Sequence, residues 1–284
     1  MRIEIYDNIL KFTDDVMDVL MQNEIQNNLI ISNCLRGKDG MDTSDWFMGV
    51  VKDAGGAIQT IALMTPPYNL VAYESGNKPN NEAVLLLVQE LFTLQIPVPG
   101  ILSEKSLAIR FADMYSRISR NSKIDGKAMR IYRLDRVNVI PQSSGKLRLA
   151  EQRDLYFLPY WNIGFTLDCG FKSVDIPGAT DKVKRLLNDK TLYIWEDDIP
   201  VSQAAMGRRT LNGAILNAVY TPPHYREKGY ASSCVAGLSQ LLLDNGYKFC
   251  SLFTDLANPI SNSIYMRIGY KPVCDYDEYF FVVQ

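Results

Sequence analysis

Apolar side chains recur along the chain at two spacings, an alternation typical of strands and a longer repeat typical of helices. In the first half, alternating runs predict strands at residues 2–6, 45–52, 57–64 and 129–139. Helical spacing predicts helices at residues 10–35, 81–95 and 104–120. Strands and helices that alternate in this way indicate a mixed α/β domain.

The second half repeats this mixture after a short interruption. Residues 141–145, Pro-Gln-Ser-Ser-Gly, form a polar, turn-forming segment that we interpret as a linker. The strands predicted beyond it are residues 147–150, 191–195, 200–207, 214–221, 249–254, 270–274 and 279–283, and the helices are 151–165, 181–187, 228–245 and 261–268. The length of 284 residues suits about two domains, and we predict them at 1–140 and 145–284.

A short internal echo links the two halves. Thr65-Pro66-Pro67 follows the strand predicted at 57–64, and Thr221-Pro222-Pro223 follows the strand predicted at 214–221. We interpret the echo as a trace of two related domains. The first copy is followed by Tyr68-Asn69-Leu70 and not by the glycine-containing loop that follows the second. The first domain is therefore expected to have lost its site.

That loop is the segment most suggestive of chemistry. It leads from the strand ending at Thr221 into the helix predicted at 228–245, and it contains Gly229. Glycine lets a ligand approach the backbone closely, and the first amides of a helix bind anions. Arg226 and Lys228 add positive charge, so a pyrophosphate fits the loop. A solvated helix start that happens to contain glycine is the alternative interpretation. The spacing of a P-loop is absent.

Two motifs together resemble a known family. Arg226-x-x-Gly229-x-Ala231, after a strand ending in Pro-Pro, resembles the acetyl-CoA signature of the GNAT superfamily of N-acetyltransferases. One helix and one strand later, Asn258, Tyr265 seven residues on, and Gly269-Tyr270 resemble its second signature. The residue sequence around these two motifs is similar to that of a bacterial subgroup of two-domain proteins whose first half is degenerate. The resemblance implies an α/β (α+β) fold with tandem domains, each a mixed, mostly antiparallel sheet flanked by helices.

The resemblance also implies roles for individual residues. The second domain would move an acetyl group from acetyl-CoA directly to an amine, a small molecule or a protein, with Tyr265 as the general acid that protonates the departing thiolate. The backbone at the end of the strand would pair with the pantetheine arm, and the loop would hold the pyrophosphate. The implied cofactor contacts are Val219, Tyr220, Thr221, Arg226, Glu227, Lys228, Gly229, Tyr230, Ala231, Ser232 and Asn258.

The general base is harder to place. No carboxylate lies on the strand 214–221, where many members of the family carry one. Asp255 is the main candidate because it lies just past the strand 249–254, and a carboxylate that caps the following helix is the alternative interpretation. The weaker candidates are Glu196, Glu278 and His224. The alternative for Glu196 is a solvated residue of an acidic turn, and the alternative for His224 is an exposed loop residue.

Composition narrows the function classes. Thirty Lys and Arg against 32 Asp and Glu give a net charge of −2, which does not favour nucleic acid as a partner. No apolar run approaches the roughly 18 residues of a membrane helix. The five cysteines are odd in number and lack CxxC spacing, so we interpret them as reduced thiols in a cytoplasmic protein. The single histidine, His224, disfavours a histidine-based metal site, and no metal is expected.

Three functions compete on these observations. The first is an N-acetyltransferase, which both signatures and Tyr265 favour. The second is a non-catalytic module that binds acyl-CoA, which the missing base favours. The third is a transferase that uses aminoacyl-tRNA or a long acyl chain, which the near-neutral charge disfavours. The sequence leaves the amine acceptor and the oligomeric state open.

Overall fold

A computed structural model describes residues 1–76, 78–171 and 175–283. The chain divides into two compact units. The first contains Met1–Ile131, Thr254–Ala257 and Val273–Gln284, and the second contains Tyr132–Phe253 and Asn258–Pro272. These units do not coincide with the predicted domains 1–140 and 145–284, because most of the last strand groups with the first unit.

The two halves of the chain contain the same kinds of element. In the first half these are β1 Arg2–Ile5, α1 Ile9–Met21, α2 Asn28–Lys38, β2 Phe47–Lys52, β3 Ile58–Met64, β4 Val71–Glu74, α3 Asn81–Thr93, β5 Gly100–Glu104, α4 Lys105–Ser119 and β6 Ser122–Leu134. In the second half they are β7 Lys146–Leu149, α5 Leu158–Asp168, α6 Ile176–Asn188, β8 Leu192–Asp197, β9 Ile199–Arg209, β10 Gly213–Tyr220, α7 Tyr230–Asp244, β11 Phe249–Asp255, α8 Pro259–Ile268 and β12 Lys271–Val282. Short 3-10 helices lie at Gln152–Tyr156 and Pro223–Tyr225. The order strand, two helices, three strands, helix, strand, helix, strand therefore occurs twice.

In the first unit, β1, β2, β3 and β4 form an antiparallel sheet in sequence order. Successive residues of β2 point to opposite faces. Val50 lies in a core with Phe12 and Ile30 from α1 and α2, and Val51 lies in a core with residues of α3 and α4 such as Leu87. Strand β5 pairs antiparallel with β12.

In the second unit, the sheet order is β11-β10-β9-β8-β7, antiparallel except for the parallel pair β10 and β11. Ala204 and Ala205 of β9 face opposite sides. Ala204 joins the core that includes Leu238 of α7, and Ala205 joins the core that includes Leu158 of α5 and Val183 of α6. The prediction of mixed, mostly antiparallel sheets flanked by helices is confirmed.

Several predicted elements differ from those observed. The helix predicted at 10–35 is two helices, α1 and α2. At the break, the side chains of Asn27 and Asn28 donate to the carbonyls of Leu20 in α1 and of Ile25. The helix predicted at 151–165 is a 3-10 turn followed by α5. The closing strands predicted at 270–274 and 279–283 are one strand, β12. Strands β4 and β5 were not predicted.

The two Thr-Pro-Pro tripeptides of the internal echo do not follow equivalent strands. Thr65-Pro66-Pro67 follows β3, the third strand of its half, whereas Thr221-Pro222-Pro223 follows β10, the fourth strand of its half. The strand in the position of β10 is β4, Val71–Glu74. The tandem organisation therefore rests on the repeated order of elements, and the matching tripeptides are not evidence for it.

Within the described residues, no helix combines the length and apolarity needed to cross a bilayer. The same residues contain no group of three or more His, Cys, Asp or Glu side chains arranged to hold a metal ion. None of the five cysteines forms a disulfide. Burial raises the pKa of the Cys234 and Cys250 thiols to about 12, as expected for cysteines that act as small apolar side chains.

Candidate cofactor and transfer site

The end of β10 is irregular in a way that exposes its backbone edge. Its parallel register with β11 covers Gly213–Leu216, and its antiparallel register with β9 shifts between Asn217 and Tyr220. Within the shift, Ala218 has φ +50°. A bulge of this kind bends a strand and interrupts its pairing. On the side of β11 the register ends at Leu216, so the segment that includes Val219 and Tyr220 can offer backbone hydrogen bonds to an extended ligand on that side.

Side chains of β9 hold this segment in place. Gln203 donates its Nε2 to the Ala218 carbonyl at 3.2 Å. The hydroxyls of Ser202 and Thr221 lie 2.8 Å apart, and Ser202 also donates to the Tyr220 carbonyl at 3.2 Å. Ser202, Gln203 and Thr221 are all buried. The end of β10 is thus fixed by buried polar contacts, although its pairing is irregular.

Arg226, the first residue of the first signature, is engaged by the protein. Its Nε donates to the Thr221 carbonyl at 2.9 Å, and its Nη2 pairs with Asp168 at the end of α5. The guanidinium lies 5.9 Å from the centre of the Tyr220 ring. These contacts hold Arg226 against the end of β10 and the end of α5. A direct role for Arg226 in holding pyrophosphate stays a prediction.

The loop between Arg226 and α7 makes a tight turn. Glu227 has φ +65° and Gly229 has φ +81°, so both lie in the left-handed region. Gly229 is the N-cap of α7 and has no side chain with which to cap the helix. The first turn contains no acidic residue. The amides of Tyr230, Ala231 and Ser232 are therefore not covered by a cap and can receive an anion.

Helix α8 carries the second signature. Asn258 is its N-cap, and its Oδ1 accepts from the Ser261 amide at 3.0 Å. Tyr265 is 8% exposed, and its ring packs edge-to-face on Tyr270 with centroids 5.9 Å apart. Burial, with a smaller contribution from nearby Cys169, raises the pKa of the Tyr265 phenol above its ordinary value. The phenol therefore keeps its proton at neutral pH.

Each residue considered as the general base contacts another residue of the protein. Asp255, the last residue of β11, accepts from the Ala257 amide at 2.8 Å and closes a turn, while Asn258 takes the helix cap predicted for Asp255. Glu196 accepts from Arg148 at 2.7 Å. The other two are Glu278, which accepts from the Asn69 side chain at 2.9 Å, and His224, which is exposed with its ring against Tyr225.

Two contributors to the loop were not recognised in the sequence. Ser143 donates its hydroxyl to the Lys228 carbonyl at 2.7 Å. Asp197 accepts from the Tyr230 hydroxyl at 2.6 Å. The Tyr230 hydroxyl and then Ser144 lower the pKa of the Asp197 carboxyl, so it stays ionised. These pairs are far apart in the sequence, and no local pattern signals them.

Known proteins share this architecture. Residues 197–281 match the family described as FR47-like protein. An acetyltransferase of the GNAT family from Colwellia psychrerythraea superposes with a TM-score of 0.58 at 12% identity, with 100% of each chain covered. A GCN5-related N-acetyltransferase from Sphaerobacter thermophilus gives 0.64 at 11%, covering 98% of this chain and 94% of the other.

A tandem GNAT protein from the clavulanic acid biosynthesis pathway superposes with a TM-score of 0.56 at 9% identity and covers 98% of both chains. No curated protein matches the chain. At these identities the structural likeness concerns the fold, and it extends over both halves.

Proposed function

We propose that the chain is a member of the GNAT superfamily and that its second half transfers an acetyl group from acetyl-CoA directly to an amine. One observation carries the proposal: a helix N-terminus without an N-cap side chain is the next helix after β10, whose register with β11 ends at Leu216. An anion and an extended chain joined to it, as in acetyl-CoA, fit these two features side by side. A solvated helix start would not require the irregular strand.

Different residues are proposed to bind different parts of acetyl-CoA. The amides from Glu227 to Ser232 would hold the pyrophosphate, aided by the helix dipole. The backbone of Val219, Tyr220 and Thr221 would orient the pantetheine arm as a neighbouring strand would. Acetyl-CoA would supply the activated acetyl group as a thioester. Asn258, at the start of α8, is proposed as a further contact to the cofactor.

Tyr265 is proposed to hold the proton that the departing thiolate needs. Its burial keeps the phenol protonated. The acceptor must react as a neutral amine, and a free alkylamine has a pKa of about 10.4, so a base or ordered water has to remove a proton. We retain Asp255 as the proposed base, because it ends the strand that follows α7 along the chain.

The direct test is thiol release from acetyl-CoA in the presence of a panel of small amines and amine-bearing peptides. Amine-dependent release by the wild-type chain, absent in Tyr265→Phe, would support the transferase. Binding of acetyl-CoA with no amine-dependent release from the whole panel would favour the non-catalytic acyl-CoA-binding module. This second function is retained because each candidate base is already engaged by a contact within the protein.

A further inference from the structure

The segment interpreted as a linker makes close contacts with the anion-binding loop. The Ser143 hydroxyl donates to the Lys228 carbonyl at 2.7 Å, and the Ser143 amide donates to the Ser233 hydroxyl at 2.9 Å. Residues on both sides of Gly229 are thus held by a single serine. We name Ser143 and Ser144 the serine strap.

Ser144 anchors the other end of the strap. Its hydroxyl donates to the Asp197 carboxylate at 2.7 Å, and its carbonyl accepts from Trp195 Nε1 at 2.8 Å. The same carboxylate oxygen of Asp197 accepts from Tyr230 in the first turn of α7. The strap therefore joins β8, where Trp195 and Asp197 lie, to the start of α7.

The contact with Lys228 determines how the loop presents its amides. A trans peptide points its carbonyl and its N–H in opposite directions. The carbonyl of the Lys228–Gly229 peptide points to Ser143, so the Gly229 amide points away from the strap. A Cβ atom built on Gly229 would lie 2.7 Å from the Ser143 hydroxyl oxygen. The strap thus occupies one side of Gly229, and the opposite side is left for a ligand.

The loop needs an external support of this kind. Lys228, which provides the carbonyl of this peptide, lies between two residues with positive φ, Glu227 and Gly229, and glycine readily adopts other conformations. Gly229, the N-cap of α7, has no side chain to hold the first turn of the helix. The hydroxyl of Ser143 supplies the hydrogen bond that fixes the peptide orientation.

We propose that the serine strap positions the loop for pyrophosphate, an inference that rests on the proposed binding of acetyl-CoA. Ser143 is a positioning residue, since it acts through the Lys228–Gly229 peptide. Ser144 acts further away, through Asp197 and Tyr230. Loss of the Ser143 hydroxyl leaves the peptide able to rotate, and the pyrophosphate then loses a correctly directed amide.

The test compares Ser143→Ala with Ser143→Thr, which keeps the hydroxyl, and with Gln142→Ala, an exposed neighbouring residue of the same segment. Calorimetry measures the dissociation constant for acetyl-CoA. NMR titration measures that for S-acetylpantetheine, which lacks the pyrophosphate. Ser143→Ala should weaken acetyl-CoA binding roughly tenfold, as loss of a hydrogen bond to a charged group does. It should leave S-acetylpantetheine binding unchanged.

Ser143→Thr should restore most of the affinity, and Gln142→Ala should behave as the wild-type chain. Unchanged acetyl-CoA affinity in Ser143→Ala, or an equal loss for both ligands, would overturn the strap and leave the proposed function standing. A wild-type chain that binds no acetyl-CoA would instead overturn the proposed function, and the strap with it.

Discussion

The helices α3 and α7 occupy the same place in the two halves of the chain, yet their N-termini differ. At α3, the Asn80 side chain accepts from the Ala83 amide at 3.1 Å, and Glu82 places an acid in the first turn. The Asn80 amide donates to the Glu74 carboxylate at 2.6 Å. At α7, Gly229 offers no cap. The first half therefore uses its own side chains on amide groups that the second half leaves available.

The strands that precede α3 and α7 also differ in how their backbone groups are hydrogen-bonded within the protein. Leu70 forms a parallel bridge with Ile101, and beyond it the Ser103 hydroxyl bridges β4 and β5. That hydroxyl accepts from the Ala72 amide at 2.9 Å and donates to the Ala72 carbonyl at 3.0 Å. In β10 the corresponding edge faces β11, and its register with that strand covers only Gly213–Leu216. Internal hydrogen bonds in the first half thus occupy the backbone groups that the second half is proposed to offer to a ligand, while the order of elements is retained.

The largest effect should come from blocking the open helix. Gly229→Glu places a carboxylate at the anion site, forces a side chain into φ +81° and meets Ser143, so acetyl-CoA binding should be abolished. The ligand-induced rise in melting temperature should disappear with it. The matched control is Gly76→Glu, in the loop before α3, where φ is +94° and no atom lies within 4 Å of the added Cβ. An unchanged thermal shift in Gly229→Glu would place the site elsewhere.

Tyr265→Phe tests the chemistry of the second half. The substitution keeps the ring and deletes the proton donor, so turnover should fall by roughly two to four orders of magnitude. The affinity for acetyl-CoA should change little, because the loss falls on the transition state. Tyr115→Phe, on the corresponding helix α4, serves as the control and should leave turnover unchanged. Near-normal turnover in Tyr265→Phe would leave water as the proton source.

Ser103→Ala tests how much the hydrogen bonds of Ser103 between β4 and β5 stabilise the first half. Ser103 is fully buried, and its loss leaves the Ala72 amide and carbonyl without their side-chain partner. The free energy of unfolding should fall by about 1–3 kcal/mol, the cost of unpaired buried polar groups. Denaturant titration measures this change. Acetyl-CoA affinity should stay at the wild-type value, and a change in stability well below this range would show that the bridge contributes little.

The smallest expected effect is in the alkaline pH profile. Burial raises the pKa of both Tyr265 and Tyr115, so neither phenol loses its proton at the ordinary value of about 10. Because the raised pKa preserves the protonated acid, turnover should not decline between pH 8 and about 10 through Tyr265. Rate measurements on a working acceptor check this. The prediction would be contradicted if wild-type turnover declined over this pH range while the residual turnover of Tyr265→Phe did not.

The parts of the site that could be predicted from sequence are local ones. Gly229 and the residues around it share one short segment, so their strand, loop and helix were recognised together. The same holds for Asn258 and Tyr265, which lie at the start and within a single helix. Elements bounded by glycine and proline, such as β2 and β3, also appeared close to their predicted positions.

What escaped prediction depends on contacts between distant residues. The bulge at Ala218 involves a non-glycine residue with positive φ, which has no sequence signal. Ser143 was interpreted as a turn residue because its partner Lys228 lies 85 positions away. Strand β4 is only four residues long and follows a proline-rich turn, so the tripeptide echo was aligned with the wrong strand.

Calorimetric titration of the whole chain with acetyl-CoA tests the central claim most directly, because it counts sites in both halves at once. The account predicts one acetyl-CoA per wild-type chain, and none in Gly229→Glu. Two molecules per wild-type chain, or one molecule retained by Gly229→Glu, would contradict the assignment of the site to the second half.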